Sequence, residues 1–323
     1  MYQLVIKQLA VMLGIMIAGF IFAKIVKVED KEQKFLSKLL LYLINPLMVF
    51  NSFNREFNVD KLKQLAFVTA IALVVHGVMI LVGIIFTLSK KDELKDFNQI
   101  DRIGVVFTNC GFVGIPLING VYGSEGVFYL MGYLVIFNVL LWTYGYFQMG
   151  GSVKPIKIIT NPNIIAVTCG VIFYCCQIKL PDFIQRPFTM IGDVNTAVAM
   201  ILIGILLAGF KKPDSKKFVL RIARFSFLRL VFCSLLNILV LAVIYKLCML
   251  IPEASFFASK DVLKMMIFVI LICSLCPAAT SIPSLACVFD KNTTYASVIV
   301  SITSLLCMIS VPAFVAFAEL LIK

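Results

Sequence analysis

Charged residues are scarce, making up 14% of the 323-residue chain, whereas a soluble domain carries about one quarter. Together with 61% hydrophobic residues and a mean hydropathy of +1.01, that scarcity excludes a soluble globular protein. No Ser/Pro/Gly-rich linker and no soluble insertion interrupts the apolar pattern, so all function is expected inside a membrane. No pair of deep, adjacent carboxylates is present, which argues against a proton or sodium antiporter built on such a pair. The single histidine, His76, has no acidic partner at helical spacing, so an intramembrane enzyme is not expected. The ten cysteines lie mostly in apolar spans, where they read as small hydrophobes. The Cys175-Cys176 and Cys273/Cys276 pairs lack histidine or carboxylate neighbours at ligand spacing, so neither a metal nor another cofactor is expected.

What is present is a series of apolar runs. A bilayer core of about 30 Å needs roughly 20 apolar residues per helix. That length predicts ten spans, at about 4–23, 36–53, 65–88, 103–122, 127–149, 162–179, 188–210, 225–248, 262–288 and 295–320. Positive charge follows the first span (Lys24, Lys27, Lys31) instead of preceding it, unlike a secretory signal peptide. Loops after odd-numbered spans hold the larger share of basic residues, including Lys90, Lys91, Lys154, Lys211, Lys212, Arg221 and Lys291. By the positive-inside rule both termini are expected outside a cell membrane. The net charge of +12 is thereby assigned to topology and anionic lipid, and nucleic acid is not an expected partner.

Two of the runs carry the worst helix formers at mid-depth. "FTNCGFVGIPLINGVYG" in the fourth and "CPAATSIPSLACVFDKN" in the ninth each combine small residues, Ile-Pro, an apolar stretch, then an aromatic residue and a turn. Proline removes a backbone donor and clashes with the preceding turn, so both helices are predicted to break. Unwound backbone in a bilayer must be met by protein or a water-filled cavity, and Asn109, Asn119, Thr280 and Ser281 are the expected side-chain partners. Five spans separate the two matches, an odd number that turns the second half upside down. The expected fold is all-α, with ten transmembrane helices in two inverted five-helix repeats, 1–149 and 150–323, a pattern of secondary transporters.

Pro116 and Pro283 are expected to open the second half-helices, and two converging helix N-termini favour an anion. Candidate substrate contacts are Asn109, Gly114, Pro116, Asn119, Thr280, Ser281 and Pro283. Asn45, before a kinking Pro46, and Asn138 join them, with an ordinary interhelical bond as the alternative for Asn138. Intramembrane ionisable residues are functional candidates by default, so His76 and Asp193 are the candidate coupling residues. Their alternatives are a neutral imidazole bonded to a neighbouring helix and an interfacial carboxylate. Arg229 is expected to snorkel to the cytoplasmic face.

At "INPLMVF" (44–50), "NCGFVGIPL" (109–117) with "VYGSEG" after it, "NPNIIAVTCGVIF" (161–173) and "PAATSIPSLACVFDKNTTYASVIVSITSLL" (277–306), the chain resembles the auxin efflux carrier family. That family includes plant PIN proteins and bacterial malate or malonate permeases. The resemblance implies the crossed-helix fold shared with bile-acid transporters and sodium–proton antiporters, and a substrate site where helices four and nine cross. It further implies a scaffold of helices one, two, six and seven against which the others move in an elevator-like cycle. Asn109 stands at the family's crossover asparagine, and Pro116 and Pro283 at its crossover prolines; Asn45 departs from the plant pattern. The long plant-type loop is replaced by "GGSVKPIKIITN", which makes auxin itself a weak expectation. The function expected is permease-type transport of a small organic anion such as a dicarboxylate, with proton or sodium coupling left open. A ligand sensor and a gated anion channel are the alternatives. Membrane lipid is the expected surrounding, and a homodimer is an open assembly state.

Overall fold

The computed structural model describes residues 2–87, 95–151, 155–209, 216–250 and 259–322. Lys90, Lys91, Lys154, Lys211 and Lys212, counted above as loop charges, lie outside them. In chain order the helices are α1 (Tyr2–Val26), α2 (Lys31–Ser52), α3 (Val59–Phe86), α4 (Lys95–Val106), α5 (Cys110–Gln148) and α6 (Pro162–Cys176). They continue as α7 (Asp182–Ala208), α8 (Lys216–Met249), α9 (Lys260–Leu275), α10 (Ser281–Val288) and α11 (Thr293–Leu321), with a short helix Pro155–Ile159 ahead of α6. Polar residues start several of them. The side chains of Asn58, Asn161, Ser259 and Asn292 each accept a hydrogen bond from a first-turn backbone N–H, satisfying donors that a helix start leaves free.

Among the described residues seven helices, α1, α2, α3, α5, α7, α8 and α11, are each long and apolar enough to cross a membrane. The difference from ten has three causes. The fourth and ninth runs are broken into pieces shorter than a span, α6 has only 15 residues, and the fourth and fifth runs join in the 39 residues of α5. A straight helix of that length would reach about 58 Å, nearly twice a bilayer core. Gly123 resolves the excess with φ 62° and ψ −156°, a backbone state open essentially to glycine alone. The chain turns back so tightly there that a Cβ on Gly126 would lie 2.8 Å from Ile118 Cγ2. Gly123→Ala is therefore expected to cost about 2 kcal/mol, read as a lowered melting temperature of the detergent-purified protein, with exposed Ser124→Ala as an unchanged control.

Burial orders the helices. Almost every residue of α9 from Met266 to Leu275 is buried, because α3, α5, α8 and α11 all pack on it; a helix apolar on all sides belongs in such a place. Of the seven, α1 and α2 are the least buried. α1 runs along the Asn195–Ala208 half of α7 at backbone distance: a Cβ on Gly204 would lie 2.1 Å from the Met16 carbonyl oxygen, and one on Gly19 2.5 Å from that of Ile201. Small residues at a helix crossing allow this approach in membranes, where packing replaces the hydrophobic effect as the source of association.

Candidate functional site

α4 stops at Val106 and α5 begins at Cys110, leaving Phe107, Thr108 and Asn109 outside either helix. Asn109 (φ −81°, ψ 48°) caps the new helix, its Oδ1 accepting from Phe112 N at 3.3 Å. The first turn, Cys110–Gly114, is a wide π-turn that ends just before Ile115-Pro116. A wide turn gives the proline ring the space an α-turn denies it. The second break follows Leu275, where Cys276 is extended (ψ 153°), and lasts until Ser281 opens α10.

The two breaks lie against each other. Asn109 N donates to Pro277 O at 2.7 Å, Ala279 N donates to Phe107 O at 3.0 Å, and Thr108 and Ala278 form an antiparallel bridge. Ala278 N, which this bridge leaves free, donates to Thr303 Oγ1 on α11 at 3.3 Å. Side chains thus meet some of the broken backbone, through Asn109 Oδ1 and Thr303 Oγ1, and the opposite break meets Asn109 N and Ala279 N. Two extended strands crossing in opposite directions place donors opposite acceptors, and each break becomes the other's partner, as low polarity requires.

The predicted residues separate accordingly. Asn109 is 4% exposed and its Nδ2 has no hydrogen-bond partner. Ser281 and Thr280 stand at the start of α10, half-buried, with Ser281 Oγ itself buried and unpartnered. Gly114 lies at the close approach, where a Cβ would be 3.4 Å from Cys276 Sγ. Pro283 is the third residue of α10, within its first turn, and Ser281 opens that helix in its place. Pro116 does not open its half-helix: it follows the π-turn, is buried, and its carbonyl accepts from Gln8 Nε2 at 3.3 Å. Asn119 is exposed on α5, away from the break. Asn138 is engaged in packing, donating to Leu134 O at 2.8 Å and accepting from Asn161 Nδ2 at 3.1 Å. Asn45 is buried after the π-turn Leu40–Ile44, its Oδ1 unpartnered.

Arg229 is the residue that sequence reading misplaced. It does not snorkel. It is 1% exposed, and its Nη2 donates to Ser274 O at 2.7 Å and Cys276 O at 2.8 Å, carbonyls released where α9 ends. α8 begins at Lys216, nine residues before the predicted start, and this extra length carries Arg229 from the interface to the interior. The available signal was the stretch Lys216 to Phe227, which has no glycine or proline and sets apolar and basic residues at helical spacing.

A protein-family model described as a membrane transport protein matches residues 4–158 and 151–315. The chain belongs to this family. No curated protein matches it. In this membrane transport protein the helices just described are those of a multi-pass membrane protein.

The two candidate coupling residues of the transport protein lie in different surroundings. His76 is fully buried, its Nδ1 is 2.8 Å from Ala72 O on its own helix, and its Nε2 is unpartnered. The expected bond to a neighbouring helix is thus replaced by one to the preceding turn. The ring packs on Tyr133 with centroids 4.6 Å apart, and Tyr133 Oη is 3.5 Å from Thr108 Oγ1, so His76 reaches the crossover through one side chain. Asp193 is exposed at the interruption of α7. Its neighbour Asn195 is 1% exposed with both amide atoms unpartnered, and the helix that Asn195 begins packs against both Cys110–Gly114 and Leu40–Ile44.

Proposed function

We propose that the chain is a secondary transporter of the auxin efflux carrier type, moving a small organic anion such as a dicarboxylate across the cell membrane. The observation that carries this reading is Asn109 Nδ2: a buried amide donor left without a partner beside a crossover where Asn109 N and Ala279 N are paired across the two breaks. A buried unpartnered donor is costly, and a carboxylate oxygen is the partner it suits. Ser281 Oγ, Asn195 and Asn45 add further unpartnered polar atoms on α10, α7 and α2.

The architecture proposed is ten spans in two inverted repeats, 1–149 and 150–323, with α4/α5 and α9/α10 as the broken spans and both termini outside. An antiparallel bridge has a local two-fold axis, which is the relation inverted repeats require, and each of the two matched stretches contains one break. An elevator-like movement is supported by the packing: α1, α2, α6 and α7 pack mainly among themselves, and α3 and α5 share extensive contacts with α9, which also holds α8 and α11. Asn109 and Ser281 would move with the second group past Asn45 and Asn195 on the first.

Uptake of radiolabelled malate, malonate, succinate and indole acetate into proteoliposomes, with imposed proton or sodium gradients, tests the reading. Saturable uptake of one anion is expected. Absence of uptake across the panel by folded protein would overturn the organic-anion reading and favour a ligand sensor.

A further inference from the structure

We infer that Arg229 sets the sign of charge that the crossover accepts, making it a specificity-determining residue for anions. The inference rests on the crossover being the substrate site. Converging helix N-termini do not by themselves select an anion here, because a crossing of two broken helices brings together equal numbers of both ends. The N-termini at Cys110 and Ser281 each contribute about half a positive charge, and the C-termini at Val106 and Leu275 about half a negative charge each. The four nearly cancel.

Arg229 does not cancel. Its guanidinium binds the carbonyls of Ser274 and Cys276, the second of which lies in the break itself. Among the described residues no Asp or Glu forms an ion pair with it, and its Nε and Nη1 are buried without a hydrogen-bond partner. It neutralises the C-terminal end of α9 and leaves the crossover positive by about one unit. A buried charge without a counter-ion is expensive, and an entering anion supplies the missing one. Arg229 acts through its field and through the end of α9, so it needs no contact with the substrate to discriminate.

The test compares binding of malonate, its neutral diamide malonamide and the dication of 1,3-diaminopropane to detergent-purified protein by calorimetry, for wild type, Arg229→Lys, Arg229→Gln and Asn109→Ser. Wild type is expected to bind malonate at least about tenfold tighter than malonamide and to reject the diamine. Arg229→Lys, which keeps the charge, should preserve that preference, and Arg229→Gln, which keeps an amide donor for the α9 carbonyls, should bring the ratio close to one. An unchanged ratio in folded Arg229→Gln overturns the inference. So does wild type binding malonate and malonamide equally; if both are then lost in Asn109→Ser, the crossover stands as the site and only the role of Arg229 falls. Wild type that binds none of the three overturns both. A wild-type ratio close to one overturns the inference even if Arg229→Gln does not fold.

Discussion

Asn109→Ser is expected to reduce saturable uptake on the order of 10- to 100-fold while leaving the melting temperature close to that of the wild type. Two functions meet on this one side chain, and the substitution separates them. Oδ1 caps the start of α5 through Phe112 N, a role serine performs about as well as asparagine. Nδ2 has no partner in the protein, and serine removes it. A hydrogen bond to a charged group contributes about 1.5–3 kcal/mol, which gives the fold-change stated. Asn109→Ala is the less informative variant, because it also removes the cap at a cost of about 1 kcal/mol. Proteoliposome uptake and thermal melting read the two effects separately. Wild-type uptake by Asn109→Ser would remove Asn109 from the substrate site.

Gly204→Leu is expected to be the most damaging apolar substitution, on the order of 3 kcal/mol or more. The obstruction is backbone: the first added carbon would lie 2.1 Å from Met16 O and 2.8 Å from Phe20 N, and no rotamer change in a neighbour relieves it. α1 and the Asn195–Ala208 half of α7 must move apart, losing the packing that joins helices in a membrane. The contrasting position is Gly14, also on α1, where an added Cβ meets nothing within 4 Å. Gly14→Leu is accordingly expected to melt within about 1 °C of wild type, since substitutions that touch no buried feature stay small. Equal melting temperatures for Gly204→Leu and wild type would refute the close crossing.

The breaks themselves were legible in the sequence because Gly, Pro and Asn have local consequences that hold wherever they occur. The positions of Asn109, Thr280 and Ser281 at those breaks followed from the same argument. The partners of the broken backbone did not, because the pairing of Phe107–Asn109 with Pro277–Ala279 joins residues about 170 positions apart, and no local rule links them. Arg229 was misread for a different reason: a span set by hydropathy began too late, at residue 225, and the amphipathic start of α8 at Lys216 was counted as loop. Asn119 lies in the same broken stretch as Asn109, and Asn138 is a polar residue in the next run, but neither fact tells which face of a helix points to the crossover.

The amino-acid sequence by itself determined a membrane-spanning, helical chain with two interrupted helices, since hydropathy, run length and the backbone limits of proline and glycine act residue by residue. Only the tertiary structure decided which polar atoms are used up in folding and which remain for a ligand. Asn138 and Asn109 are the same residue type at similar burial, yet one has both its amide groups bonded and the other keeps a free donor. That difference arises from what distant segments bring alongside each of them: the amide of Asn138 is consumed by packing, and the Nδ2 of Asn109 is left over.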